Sequence, residues 1–242
     1  MEEILDIYKR PYNVGKPVVC MDESSKQLIK EVNGSIPMQP ILVEEVPQIS
    51  PERIESLSSG SEAIAVNDKT QLLVKRGQVE KYDTEYERNG TANIFMAFEP
   101  LQGLRFTDVT DQRKKTDWAE FIKELVDMHY PDAETIILVL DNLNTHNKSS
   151  LYEKFEPTEA KRIADKLEIH YTPKHGSWLN MAEIELSHLS RQCLDTRISE
   201  KSNLAAEVNA WTAQRNNKKV VAKWQFTTED ARIKLRRLYP ST

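Results

Sequence analysis

The run Thr135–Leu140, TIILVL, is apolar or β-branched at every position and stops on Asp141, which is followed by NLNTH. A short apolar run of this kind fits a strand covered on both faces, and the open end of such a strand is where α/β folds place ligands. Asp141 therefore either stands at a site mouth or begins an ordinary turn. KPVVCMDESSKQLIKEV reads as a strand through Asp22 that turns at ESS and returns as a hairpin partner. Residues 33–83 are irregular and rich in Pro and Ser, with EAIAVNDKTQLLVKRG as a two-stranded excursion turning at Asn67-Asp68. TANIFMAFEPLQGLRFTDVT gives two strands joined at Pro100–Gly103.

The rhythm then changes. KKTDWAEFIKELVDMHYP places Trp118, Phe121, Ile122, Leu125 and Met128 at helical spacing and stops at Pro131. TIILVL is the next strand, SSLYEKFEPTEAKRIADK is helical with a break at Pro157, LEIHYTP is a short strand, and two strongly helical segments follow. Three early strands, a helix, a strand, a helix, a strand and more helices is the order of a ribonuclease-H-like α/β fold. The expected architecture is a mixed five-stranded sheet flanked by helices.

Composition narrows the class. At 242 residues, 39% of them hydrophobic, the chain can bury a sizeable core. With 29% charged residues, a mean hydropathy of -0.60 and no apolar run of bilayer length, no membrane association is expected. The acidic start, MEEILDIYKRPYNVGKP, lacks the apolar core of an export signal, and Cys20 and Cys193 are too few for a disulfide framework or a zinc site, so a cytoplasmic protein is expected. A net charge of -5 argues against a surface that is basic throughout but leaves room for a local groove. Arg113, Lys114 and Lys115 form one basic cluster; Arg232, Lys234, Arg236 and Arg237 form another. Each is a DNA-contact candidate or a solvated helix face.

In the expected fold the first strand, the fourth strand and the helix after the fifth converge, and here they carry Asp22, Asp141 and Glu183. Hard oxygen donors favour Mg2+ or Mn2+ over zinc. Two such ions about 3.5–4 Å apart can flank a phosphodiester, and three carboxylates suffice if one bridges them.

The runs MDES, YERNGTANIFMAFEP, VLDNLNTH and HYTPKHGSWLNMAEIELSHLSRQCLDTRI resemble the DDE catalytic domain of bacterial insertion-sequence transposases, the IS six-thirty group of the Tc-one/mariner superfamily. The resemblance covers most of Pro17–Pro240 and implies a catalytic and metal-binding triad of Asp22, Asp141 and Glu183. It also implies two Mg2+ ions, with Mn2+ as substitute, cleavage at transposon ends and strand transfer into target DNA. The partners it implies are double-stranded DNA and a second copy or a full-length transposase, in a bacterial, nucleoid-associated setting. The chain departs from the family in two ways. The helix-turn-helix reader that precedes the catalytic domain has no counterpart before Asp22, so the chain reads as a truncated or separately encoded product; residues 41–76 form an atypical insert in one catalytic domain spanning 1–242. A catalytically silent partner or inhibitor of full-length transposase, and a host ribonuclease-H-like nuclease, are the rival readings.

Further residues carry expectations. Glu185 lies about 200° around the helix from Glu183, so both cannot face one metal, and its replacement is expected to be mild. His146 and His175 either approach the scissile phosphate or bond locally within loops. Asn142, Asn144 and Asn180 are expected to hold the geometry around the acids. Trp178 either stacks on an unpaired base or anchors a core or interface. Asp141→Asn is expected to leave the fold nearly unchanged, with metal-free stability raised by relief of carboxylate repulsion.

Overall fold

The computed structural model describes residues 1–33, 42–46, 62–67, 70–75, 84–141, 143, 146–174 and 176–239, of which 42–46, 62–67, 70–75 and 238 are described by backbone alone. Among the described residues eight strands follow one another: β1 Val18–Glu31, β2 Leu42–Val46, β3 Glu62–Asn67, β4 Thr70–Lys75, β5 Tyr86–Glu99, β6 Leu104–Thr110, β7 Ile136–Leu140 and β8 Leu167–Tyr171. The chain divides into two compact units, one of residues 1–30 with 88–242 and one of residues 31–87.

The larger unit holds a five-stranded sheet in the order β6-β5-β1-β7-β8. β1, β7 and β8 run parallel, whereas β5 and β6 form an antiparallel hairpin. The hairpin turns at Gly103, whose φ of 66° suits glycine and whose N–H donates to Glu99 O. Helices cover both faces, so this is the mixed, ribonuclease-H-like α/β sheet that the order of elements predicts.

The apolar run of β7 feeds two cores by simple alternation. Ile136, Leu138 and Leu140 face one, and Ile137 and Val139 the other. On the first face they meet Val19 and Met21 of β1, Trp118, Phe121 and Ile122 of α2 (Lys115–Glu124), Leu151 of α3 (Ser149–Lys154) and Ile163 of α4 (Pro157–Asp165). The opposite core joins Cys20 to Ile4, Leu5 and Ile7 of α1 (Glu2–Tyr8), Met181 and Ala182 of α5 (Met181–Gln192) and Ala231 of α7 (Thr228–Lys234). A third cluster packs Leu28, Ile94 and Met96 against Leu189 and against Leu204, Val208 and Trp211 of α6 (Lys201–Asn217).

Three local readings differ from the sequence pattern. β1 does not turn at ESS. It continues to Glu31 because Leu28 enters the third core, Ser25 Oγ donates to Asn93 Oδ1 at 2.6 Å, and Ile29 N–H donates to Ile198 O at 2.8 Å. Met128 leaves the buried stripe and is 73% exposed. The helix widens into a π turn over Leu125–His129, closed by Tyr130 N–H on Leu125 O, and the extra residue rotates Met128 outward. The seven-residue α1, too short to show a full apolar period, buries three side chains.

Within residues 31–87, β3 and β4 pair antiparallel from Glu62↔Lys75 to Asn67↔Thr70, as the sequence pattern predicts, and the turn residue Asp68 lies outside the described residues. A third strand, β2, pairs with β4, giving a sheet ordered β2-β4-β3. Replacing Ile41–Arg76 with a short Gly/Ser linker is expected to preserve soluble expression and cooperative melting, since the residues fall within a compact unit of their own and each change of loop length by a factor of two costs only about 0.6 kcal/mol. Loss of cooperative melting would show that these residues support the larger unit. Among the described residues, no helix is long and apolar enough to cross a membrane.

Candidate active site

Parallel pairing brings two acids together. The register Val18↔Ile137, Cys20↔Val139, carried on by two places, sets Asp22 opposite Asp141 where β7 ends. Asp22 shares the face of Cys20, the face on which α5 packs.

Asn180 caps α5 and fastens it to β1. Its Oδ1 accepts from Ala182 N at 3.1 Å, satisfying a free helix N–H, while Nδ2 donates to Met21 O at 2.8 Å and stands 3.5 Å from Asp22 Oδ2. Glu183 lies in the first turn of that helix and is half-buried. Its charge reaches Asp22.

Asp22 is 9% exposed, and its Oδ1 accepts from Glu23 N at 2.8 Å. Burial pushes its carboxyl up to about 7; the charges of Asp141, Glu23 and Glu183 add to the rise, and the Glu23 hydrogen bond opposes it. Asp141 behaves oppositely. Burial works against its charge but is outweighed by the hydrogen bond and charge of His146, the Leu143 N–H and Arg113, so its carboxyl lies below the ordinary range. His146 Nδ1 is 2.6 Å from Asp141 Oδ1. Nε2 stands 2.9 Å from Glu23 Oε2, close enough for charge pairing although the angles miss those of a hydrogen bond. Burial disfavours the imidazolium, yet the two acids prevail and raise His146 to about 9.

The remaining candidates are scattered. Asn142, Asn144 and His175 lie outside the described residues. Trp178 is 40% exposed, with rings of Trp224 and Phe226 beside it. Arg113 comes within 3.9 Å of Glu23 and so belongs to the acid cluster, Lys114 caps α2, and Lys115 pairs with Glu153. Arg232 makes a two-pronged contact with Glu2, Lys234 pairs with Asp230, and Arg236 and Arg237 are exposed in the turn after α7. The sequence reading missed Glu23. Its one signal was an acid next to Asp22 on the other face of the strand.

Glu185 is not a solvent-facing helix acid. It is 3% exposed and clamped between Arg105 Nε at 2.8 Å and the Arg215 guanidinium at 2.9 Å. Helix rotation correctly turns it away from Glu183, but the side it turns toward is core, so a mild replacement is not expected.

Residues 62–205 match the family model described as DDE superfamily endonuclease, which spans more than half of the chain and includes Asp141 and Glu183. The chain belongs to the DDE superfamily endonucleases. No curated protein matches it. Asp22 lies outside the matched span, and its place in this endonuclease comes from the strand register. Membership implies nuclease chemistry on DNA, and domains of this kind typically use divalent metals.

The donor set fits such an ion in kind. The acids at the site offer oxygen donors only, the hydrogen bonds to Asp141 among the described residues fall on Oδ1, and Asp22, raised first by burial and further by the neighbouring acids, stands among negative charge that a hard cation would offset. Among the described residues, no three His, Cys, Asp or Glu side chains stand close enough to hold one ion. The arrangement is thus a pair of aspartates with Glu183 as an electrostatic neighbour.

The metal-free protein should carry a stability signature of this crowding. The folded carboxyl of Asp22, at about 7, lies above its unfolded value of 3.8, so its contribution is present at low pH and is lost as pH rises through 7. Asp22→Asn in EDTA is expected to stabilise the protein at pH 8 by about a few kcal/mol, seen as a higher melting temperature, and to change its stability little at pH 4. Equal effects at both pH values would contradict the buried, crowded carboxylate.

Proposed function

We propose that this endonuclease is a transposase catalytic domain of the IS six-thirty type, from a bacterial insertion sequence, that cuts phosphodiester bonds at element ends and joins them to target DNA. The observation that carries this reading is the placement of Asp22 and Asp141 on adjacent parallel strands, with Glu183 on the helix stapled to β1 by Asn180. Asp22, Asp141 and Glu183 would hold two Mg2+ ions, or Mn2+ in their place. When bound, the ions supply a Lewis acid for the phosphoryl oxygens and lower the pKa of an attacking water or 3′-hydroxyl.

The chain's own groups perform the supporting work. Asn180 fixes the distance between β1 and the start of α5, and so places Glu183 relative to Asp22. His146 holds Oδ1 of Asp141 and so fixes the orientation of its carboxylate. Arg113, 55% exposed beside the acids, is placed to meet a DNA phosphate. A second copy or a full-length transposase is the proposed partner for bringing two DNA ends together.

The distinguishing experiment is strand transfer. A labelled duplex carrying element ends, incubated with plasmid and Mn2+, should become covalently joined to the plasmid. Cleavage without any joined product would indicate a hydrolytic nuclease and overturn the transposase reading.

A further inference from the structure

His146 is fully buried, with its ring between two carboxylates and beside Trp118, at a centroid distance of 6.1 Å. Its backbone is fixed as well: His146 N–H donates to Leu143 O, and Tyr171 OH donates to His146 O at 2.7 Å. A ring held this way cannot swing out to a substrate. Its two nitrogens instead transmit position from one acid to the other.

The acid at the far end is Glu23, whose side chain is 4% exposed. A carboxylate so deeply buried is costly unless it is paired, and the cationic groups near it among the described residues are His146 at 2.9 Å and, more remotely, Arg113 at 3.9 Å. Glu23 also touches the other aspartate, because its backbone N–H donates to Asp22 Oδ1. Strand alternation explains how one residue serves both: Asp22 faces α5, and Glu23 faces the side where Trp118 and His146 lie. Asp141 alone of the relay is open to solvent, with 29% of its side chain exposed.

From this geometry we infer that Glu23 is a positioning residue, which acts through His146 to hold Asp141 Oδ1 and so fixes how the Asp141 carboxylate is presented to a metal ion. The inference rests on the reading of Asp141 as a metal ligand. Hydrogen-bonded partners behind a ligand fix its orientation, and losing them typically weakens metal binding about 10–100-fold. Glu23 is then part of the site although it neither binds the ion nor meets DNA.

The test is Mn2+ titration of the full chain, read by the electron paramagnetic resonance signal of free Mn2+, with thermal melts to establish folding. Glu23→Gln, close in shape but uncharged, should weaken Mn2+ binding about 10–100-fold. His146→Asn should weaken it similarly, and the double variant no more than the worse single, because both break one relay. Glu23→Met, which suits a buried position, provides a second route should His146→Asn not fold, and it too should bind Mn2+ more weakly. A folded Glu23→Gln with wild-type affinity, or losses that multiply in the double variant, would overturn the inference. A wild-type chain that binds no Mn2+ would instead overturn the metal-site reading on which it rests.

Discussion

Glu185→Gln is expected to destabilise the protein by about 3 kcal/mol or more, a large fraction of the stability of a typical domain. Arg105 is fully buried and donates to Glu185, Gly103 O and Val220 O, so neutralising Glu185 leaves a guanidinium in the core without a carboxylate partner and with the like charge of Arg215 nearby. Burial opposes the charge of Glu185, but the two arginines outweigh it and hold the carboxyl below its usual value. Its contribution is therefore present above the unfolded carboxylate range and fades as pH falls through the lower folded value. Denaturant melts at pH 7 provide the check. Replacing Glu185, Arg105 and Arg215 together by apolar residues should recover much of the loss, since a buried ion cluster is costly to break but not to replace. Glu183→Gln should do the reverse, leaving stability nearly unchanged while removing cleavage. A Glu185→Gln protein as stable as the wild type would refute the clamp.

Asp141→Asn is expected to reduce cleavage by about a thousandfold or more, the equivalent of several kcal/mol of lost transition-state stabilisation. It is also expected to lower stability, contrary to the gain that simple carboxylate repulsion predicts. Asn keeps an acceptor for His146 but not the charge, and hydrogen bonds to charged groups contribute about 1.5–3 kcal/mol. The sign follows from His146, raised to about 9 from 6.5: its contribution is complete below pH 6.5 and is lost as pH rises toward 9. The deficit of Asp141→Asn should thus be largest near pH 6 and shrink by pH 9. Melts across that range check it, and a deficit independent of pH would exclude the His146 pairing as its source.

The two aspartates thus sit side by side with opposite electrostatics. Asp22 has carboxylates for neighbours and a backbone N–H; Asp141 has an imidazole. Sequence could place both acids because each ends or interrupts an apolar strand and parallel pairing does the rest. It could not rank them, because the ranking depends on Glu23 and His146, which lie 123 positions apart and meet only in the folded sheet. Rotation around α5 gave the direction of Glu185 but not its surroundings, which Arg105 of β6 and Arg215 of α6 supply. The main strands were legible because β7 is apolar on both faces. The length of β1, the rotation of Met128 and the burial of α1 were not, since each depends on a tertiary contact or a π turn that leaves no periodic trace.

The most direct test of the account is nicking of supercoiled plasmid by the purified chain in Mg2+ or Mn2+, with folded Asp141→Asn and an EDTA control beside it. Nicking by the wild type should require the divalent ion, and the variant should show none. Nicking by Asp141→Asn at the wild-type rate would contradict it.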